Sequence, residues 1–414
     1  MAVSAPMQRL PENLARAVVP AEVRSVLERL SSSGHEAWLV GGGVRDLLRG
    51  QQPKDWDVAT EAVPEQVVKL FRRVIPTGIA HGTVTVLVPG GQVEVTTFRA
   101  ESAYVDGRRP ESVAFHRDLV ADLARRDFTI NALAFDPIGG RFRDPFGGRE
   151  DLARRRVRCV GVAAERFGED GLRPLRAVRF ATVLEFELDP DTEAAIPGAL
   201  PVFDKVALER RREELLKLLL APGVGRGLEL LRTTGLMERL LPELEALGDS
   251  ARNARVSGAE PVLEVRLAAL LGDMTRVETA LERLRLPAKV VETVRALVAH
   301  PLGPEASTWS DAELRRWLVR LGPDRWELAA ALAQASGADP DGALGKRIGG
   351  IIASRPPLAA KDLALNGAEI MKVLGVGPSP AVGDATRFLL ERVLERPDLN
   401  TPEQLRELLR TRQG

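Results

Sequence analysis

The run Gly41-Gly42-Gly43-Val44-Arg45-Asp46, followed by Asp55-Trp56-Asp57, holds the residue types that handle phosphates and metals. A strand carries residues i and i+2 on one side, so Asp55 and Asp57 are expected to present two carboxylates together. Like charges that close repel unless a cation sits between them. Mg²⁺ takes hard oxygen ligands and leaves positions for a substrate phosphate. Two such ions activate an attacking hydroxyl and stabilise a leaving pyrophosphate. A glycine turn running into a helix offers backbone N–H groups to an anion, and Arg45 falls in the first turn of that helix. An Asp-x-Asp pair or a glycine turn alone is common. The order of turn, helix and paired acids carries the signal.

The elements that must hold these groups can be read from periodicity. Ala21–Leu30 has one apolar helical face, Ala37–Val40 reads as a buried strand, and a helix is expected from Val44 to Arg49. Asp55–Ala59 reads as a strand, Pro64–Arg73 as a helix with proline at its start, and Thr83–Val88 and Gln92–Phe98 as strands of a hairpin around Pro89-Gly90-Gly91. Glu101–Arg117 is polar and reads as a loop, and Leu123–Phe135 as a helix. Beyond residue 150, Leu/Ala/Arg/Glu-rich helical spacing dominates, from Gly168–Leu184 to Pro402–Arg412. Residues 336–366 read as the least structured stretch. The expected fold is therefore a small mixed α/β domain followed by an all-α region.

Composition sets limits. The chain has 414 residues, enough for two to four domains, with 58 basic and 58 acidic side chains and no net charge. That excludes a globally basic nucleic-acid binder but not a local basic face. Arginine supplies 50 of the cations and suits bidentate phosphate contacts, although a GC-rich coding bias is the simpler source of the excess. No apolar run is long enough to span a bilayer, and no secretory signal is expected from the N-terminal residues, which points to the cytoplasm. The single cysteine, Cys159, excludes an internal disulfide or a CxxC metal site. His35, His81, His116 and His300 show no zinc-ligand spacing, and no Gly-x-Ser-x-Gly elbow exists.

Further runs narrow the reading. These are His81-Gly82-Thr83-Val84, Glu94-Val95-Thr96-Thr97-Phe98-Arg99, Arg125-Arg126-Asp127-Phe128-Thr129-Ile130-Asn131, Asp144-Pro145-Phe146-Gly147-Gly148, and Glu169-Asp170-Gly171-Leu172-Arg173 leading to Arg176 and Arg179. With the glycine turn and paired acids, they make residues 25–245 resemble the class II CCA tRNA nucleotidyltransferases and bacterial poly(A) polymerases, which belong with the polymerase-beta-like nucleotidyltransferases. The resemblance implies an α+β chain: a polymerase-beta-like α/β head, then an all-α neck, body and tail. The corresponding spans are 1–20 for an N-terminal extension, 21–150 for the head, 151–245 for the neck, 246–335 for the body and 336–414 for the tail. It also implies that Gly42 and Arg45 hold the triphosphate, that Asp55 and Asp57 hold Mg²⁺, and that Glu94 is the third acid. Arg126, with Asp127 and Asn131 near it, would contact the nucleotide's sugar and phosphates. Asp170 and Arg173 would read the base, and Arg176 and Arg179 would help to bind the nucleotide.

The base-reading pair has its own chemical logic. Asp170 and Arg173 are expected on one helix face; the first only accepts hydrogen bonds and the second only donates. Cytosine and adenine each set an amino donor beside a ring acceptor, and uracil and guanine reverse that order. One Asp–Arg pair therefore admits C and A and rejects U and G. Pro174 is compatible with this helix only if the helix starts near Asp170 or Gly171.

The implied reaction is addition of C, C and A to the 3′ end of tRNA from CTP and ATP. The rivals are a poly(A) polymerase, a CC- or A-adding half of a split system, and a non-catalytic RNA-binding protein. In the family resembled, such a loop helps reorient the template from C to A, so the loop with Tyr104, Asp106, Arg108 and Arg109 implies an enzyme that adds A as well as C. Arg154-Arg155-Arg156-Arg158 and Arg210-Arg211-Arg212 are either acceptor-stem contacts or solvated helix faces. The segment Leu267–Asp273 resembles a phosphohydrolase His-Asp run with Gly272 in place of the histidine, so no such activity is expected. No membrane or protein partner is inferred.

Overall fold

In the computed structural model, strands β1 (Ala37–Val40), β2 (Asp57–Thr60), β3 (Val74–Gly78), β4 (Thr83–Val88) and β5 (Gly91–Thr97) follow the alternating apolar runs of the first hundred residues. β6 (Arg99–Glu101) and β7 (Val113–Phe115) form a separate pair, and β8 (Ala134–Asp136) and β9 (Arg141–Arg143) complete the main sheet. Its order is β3-β4-β5-β2-β1-β8-β9. β2 and β5 run parallel with Asp57 opposite Glu94, and the other neighbours are antiparallel. The structure describes residues 9–79, 82–101, 113–115, 118–244, 249–272 and 274–413.

Both faces of the sheet are covered at β1, all four residues of which are buried and read as a continuous apolar run. Leu39, Val58, Val84 and Val95 pack with Val26, Leu27 and Leu30 of the Ala21–Ser32 helix. Trp38, Val40 and Ala59 point the other way, onto Phe98, Leu119 and Leu123. Each such buried aliphatic side chain contributes about 1.5–3 kcal/mol, so Leu27→Ala would loosen the helix from the sheet.

The chain divides into two compact units, residues 1–218 with 226–240 and residues 219–225 with 241–414. The first holds the sheet and the helices that follow it. The second is helical, from Asp249–Gly258 to Pro402–Gln413. No described helix is long and apolar enough to cross a membrane.

Several sequence expectations change, among them the loop reading of Glu101–Arg117, which contains strand β7. The second strand begins at Asp57, and Asp55 lies in the bend before it. Leu123–Phe135 is not one helix: the Leu119–Ala124 helix ends, a short 3₁₀ turn covers Thr129–Asn131, and β8 follows. Long-range pairing overrides the helical periodicity there, because Thr129 N–H bonds Arg158 O, Val160 N–H bonds Asp127 O, and Phe128 bridges Cys159. Gly168–Leu184 is split into Ala163–Glu169 and Arg173–Leu184. Pro174 sits in the first turn of the second helix, where its missing N–H costs nothing. A Cβ on Gly171 would stand 2.5 Å from Val202 O, so the break packs backbone against backbone. Finally, Ala343–Ala353 is a helix inside the stretch read as least structured. Asp339 caps it by accepting the Leu344 and Gly345 amides at 3.0 and 2.9 Å, and Leu344, Ile348 and Ile351 are buried. Edge strand β3 was missed because Pro76 and Gly78 mask it.

Candidate active site

β1 runs into Gly41, whose φ of +74° only glycine adopts readily. A side chain there would also stand 2.9 Å from Arg126 Nη1. The turn opens the Gly42–Leu48 helix, from which Arg45 donates to Asp46 Oδ1 and Asn131 Oδ1, each at 2.9 Å. Beside it, Asp55 and Asp57 line a cavity of about 940 Å³. Antiparallel pairing sets Asp57 against Val40, at the foot of the glycine turn. Glu94 is Asp57's neighbour on β5 but does not line the cavity.

The acids on this side repel one another. Burial pushes the Asp57 carboxyl above its ordinary value; Arg126 opposes the shift and Asp55 adds to it. Glu94 is likewise raised by loss of hydration, then by Asp57 and Asp55, against Arg99. Asp55 and Asp57 fit a hard divalent cation, which would offset this repulsion through carboxylate oxygens. Among the described residues no group of three or more His, Cys, Asp or Glu encloses a cation, so two carboxylates would leave most of the coordination sphere to phosphate and water.

The opposite wall is built by the turn after Ala124 and by the Arg173–Leu184 helix. Asp127 Oδ1 accepts the Asn131 amide at 3.0 Å and the Phe128 N–H at 2.8 Å. Its Oδ2 takes a fork from Arg176 at 2.9 and 2.5 Å. Burial alone would raise the Asp127 carboxyl, but Arg176 and Asn131 outweigh it and hold it at about 2. Arg179 pairs with Glu214 and lies 3.8 Å over the Phe180 ring, with Arg45 and Arg176 each 5.4 Å from its centroid. Guanidiniums this close to an aromatic ring are partly compensated before any phosphate arrives.

Asp170 and Arg173 meet at this wall by a different route from the one expected. They do not share a helix face: Asp170 ends the first helix and Arg173 begins the second. Both still line the cavity. Arg173 is buried, donating to Glu169 Oε2 at 2.5 Å, Arg125 O at 2.8 Å and Arg166 O at 3.0 Å. Arg126 donates to Asp122 Oδ2 at 3.3 Å, and its buried Nε has no hydrogen-bond partner.

Gly42, Arg45, Asp55, Asp57, Arg126, Asp127, Asn131, Asp170, Arg173, Arg176 and Arg179 thus share one cavity, lined by nine cationic and five acidic side chains. Sequence reasoning missed Asp122, which is fully buried and holds both Arg125 and Arg126. Its spacing three and four residues ahead of them was a visible signal. Glu214 and Phe180 left no such trace. The basic run at 154–158 turns to acids of the chain, Arg154 to Glu150, Arg156 to Asp189 and Arg158 to Asp151. His81, His116, Asp273 and the charged loop from Tyr104 to Arg109 lie outside the described residues.

Residues 37–158 match the poly A polymerase head domain family, and residues 185–247 match the probable RNA and SrmB-binding site of polymerase A. The CCA-adding enzyme of Geobacillus stearothermophilus is 38% identical over 392 residues, covering 93% of this chain and 95% of that protein. The CCA-adding enzyme of Streptococcus sanguinis is 38% identical over 382 residues, covering 90% and 93%. A crystal structure of the Bacillus stearothermophilus CCA-adding enzyme in complex with CTP is similar with a TM-score of 0.82 at 35% identity, covering 95% of this chain and 97% of that one. With 38% identity to the Geobacillus stearothermophilus relative over 93% of its length, the chain belongs to the family of CCA-adding enzymes, among the class II tRNA nucleotidyltransferases and bacterial poly(A) polymerases.

Proposed function

We propose that this protein adds C, C and A to the 3′ end of tRNA, taking CTP and ATP and releasing pyrophosphate. The observation that carries the reading is the single cavity whose one wall holds unpaired acids and whose other wall holds arginines and the Asp170–Arg173 pair. The Gly41–Gly43 turn and Arg45 receive the triphosphate, whose charge the surrounding arginines offset. Asp127 keeps Arg176 and Asn131 in place for the nucleotide's sugar and phosphates, and Arg126 turns its unsatisfied Nε to the same task. Arg179 supports the nucleotide from the same wall.

Asp55 and Asp57 are the groups that would hold Mg²⁺, with Glu94 behind them on β5. Ions held there would make the RNA's terminal hydroxyl a better nucleophile and stabilise the leaving pyrophosphate. Asp170 accepts the amino group of C or A, and Arg173 donates to the adjoining ring acceptor. A U or G would leave buried groups unpaired at about 1–3 kcal/mol each. The head is taken as 21–150, with neck, body and tail at 151–245, 246–335 and 336–414 gripping the RNA, and the expected location is the cytoplasm.

The test offers tRNA ending at position 73, in –C or in –CC, with CTP alone, ATP alone and both. CTP should extend the first two by C, ATP should extend only the third, and synthesis should stop at CCA. Incorporation of one nucleotide only points to a split system, long A tails to a poly(A) polymerase, and no incorporation to a non-catalytic RNA-binding protein.

A further inference from the structure

Asp170 is gripped on both oxygens. Its Oδ1 accepts the Leu172 amide at 3.0 Å, and its Oδ2 accepts Arg210 Nη2 at 3.1 Å. Arg210 comes from the Leu208–Leu219 helix, 40 positions further on, and lines the same cavity. It is the first residue of a basic run whose sequence suggested an RNA-facing patch, yet its guanidinium turns inward to an acid. Its neighbour Arg211 packs at 5.3 Å over Phe203. Both partners of Asp170 are pure donors, and a carboxylate offers about four lone-pair positions, so acceptor sites remain for a base.

Arg173 needs no such help, since three acceptors already fix it. Asp170 differs. It stands at a helix break, and apart from one amide its orientation rests on a side chain from elsewhere in the chain. We infer that Arg210 is a positioning residue for base selection, setting which Asp170 oxygen faces the incoming nucleobase. This rests on Asp170 and Arg173 reading the base. A carboxylate held in place clashes electrostatically with the carbonyl that U or G would put there. A carboxylate free to swing aside relieves that clash and loses part of its grip on C and A.

The measurement is the ratio of kcat/KM for CTP to that for UTP, with ATP against GTP as a second pair. Arg210→Ala should lower both ratios about 10-fold, and Arg210→Lys, which restores one charged donor, should recover most of the loss. A purely structural role would lower activity with all four nucleotides and leave the ratios alone. Unchanged ratios in Arg210→Ala, with ratios that collapse in Arg173→Ala, overturn the role of Arg210 and leave the base-reading pair standing. Unchanged ratios in both variants overturn the base-reading pair itself. If Arg210→Ala is too inactive to rate, Arg210→Gln decides: a ratio lowered by about 3-fold supports the inference and an unaltered one overturns it.

Discussion

The two walls of the cavity treat their carboxylates in opposite ways. On the strand side, Asp57 is pushed up by burial and by Asp55, and Glu94 by burial and by Asp57 and Asp55, more than Arg126 and Arg99 can offset. On the helix side, Asp127 is drawn down to about 2, and Asp122 is also lowered, because Arg176 in one case and Arg126 with Arg125 in the other outweigh burial. The carboxylates of the second wall are paired before substrate arrives. The first is short of positive charge, which a divalent cation would supply. The contrast separates groups that must be ready and rigid from groups whose task is to bind something not yet there.

The largest expected effect is on the wall short of positive charge. Asp55→Ala should lower nucleotide incorporation by about 100-fold or more while leaving tRNA binding nearly intact. Retention of more than a few per cent of activity would remove Asp55 from the metal role. Next comes the wall of paired carboxylates. Asp127→Asn should cost about 2 kcal/mol of stability at neutral pH, from a shift of the carboxyl from 3.8 to about 2. The sign follows from linkage: a lowered folded-state value stabilises above the unfolded one and fades as pH falls from about 4 to about 2. Thermal unfolding of the two proteins should converge at the acid end of that window, and parallel curves would break the assignment.

The smallest effect has the opposite sign. Asp57 is raised in the folded state, so the stability it lends exists below the ordinary carboxylate range and is lost as pH rises through its raised value. At neutral pH the ionised group therefore weighs against the metal-free fold. Asp57→Asn should raise the metal-free Tm by about 1–3 °C while abolishing activity, and added MgCl₂ should raise Tm in the parent protein only. A lower Tm in Asp57→Asn would erase the contrast between the walls.

Much of this site was legible because its chemistry sits in short runs. The glycine turn, Asp55-Trp56-Asp57 and Arg126–Asn131 each carry their residues within one local element. What the sequence hid is pairing at a distance. Arg210 to Asp170 and Arg179 to Glu214 join positions 40 and 35 apart, and no periodicity registers them. The break between Glu169 and Arg173 was half visible in Pro174. Its other cause, the close approach of Gly171 to Val202, exists only in the folded chain. The segment after Ala124 shows the same limit, since its helical spacing yields to pairing with residues 158–160.

The most direct test is a crystal structure of this chain with CTP and Mg²⁺. The account predicts cation density on the Asp55 and Asp57 carboxylates, the triphosphate against Gly42 and Arg45, and the cytosine amino group within hydrogen-bond distance of Asp170. Cations bound elsewhere, or a base turned away from Asp170 and Arg173, would contradict it.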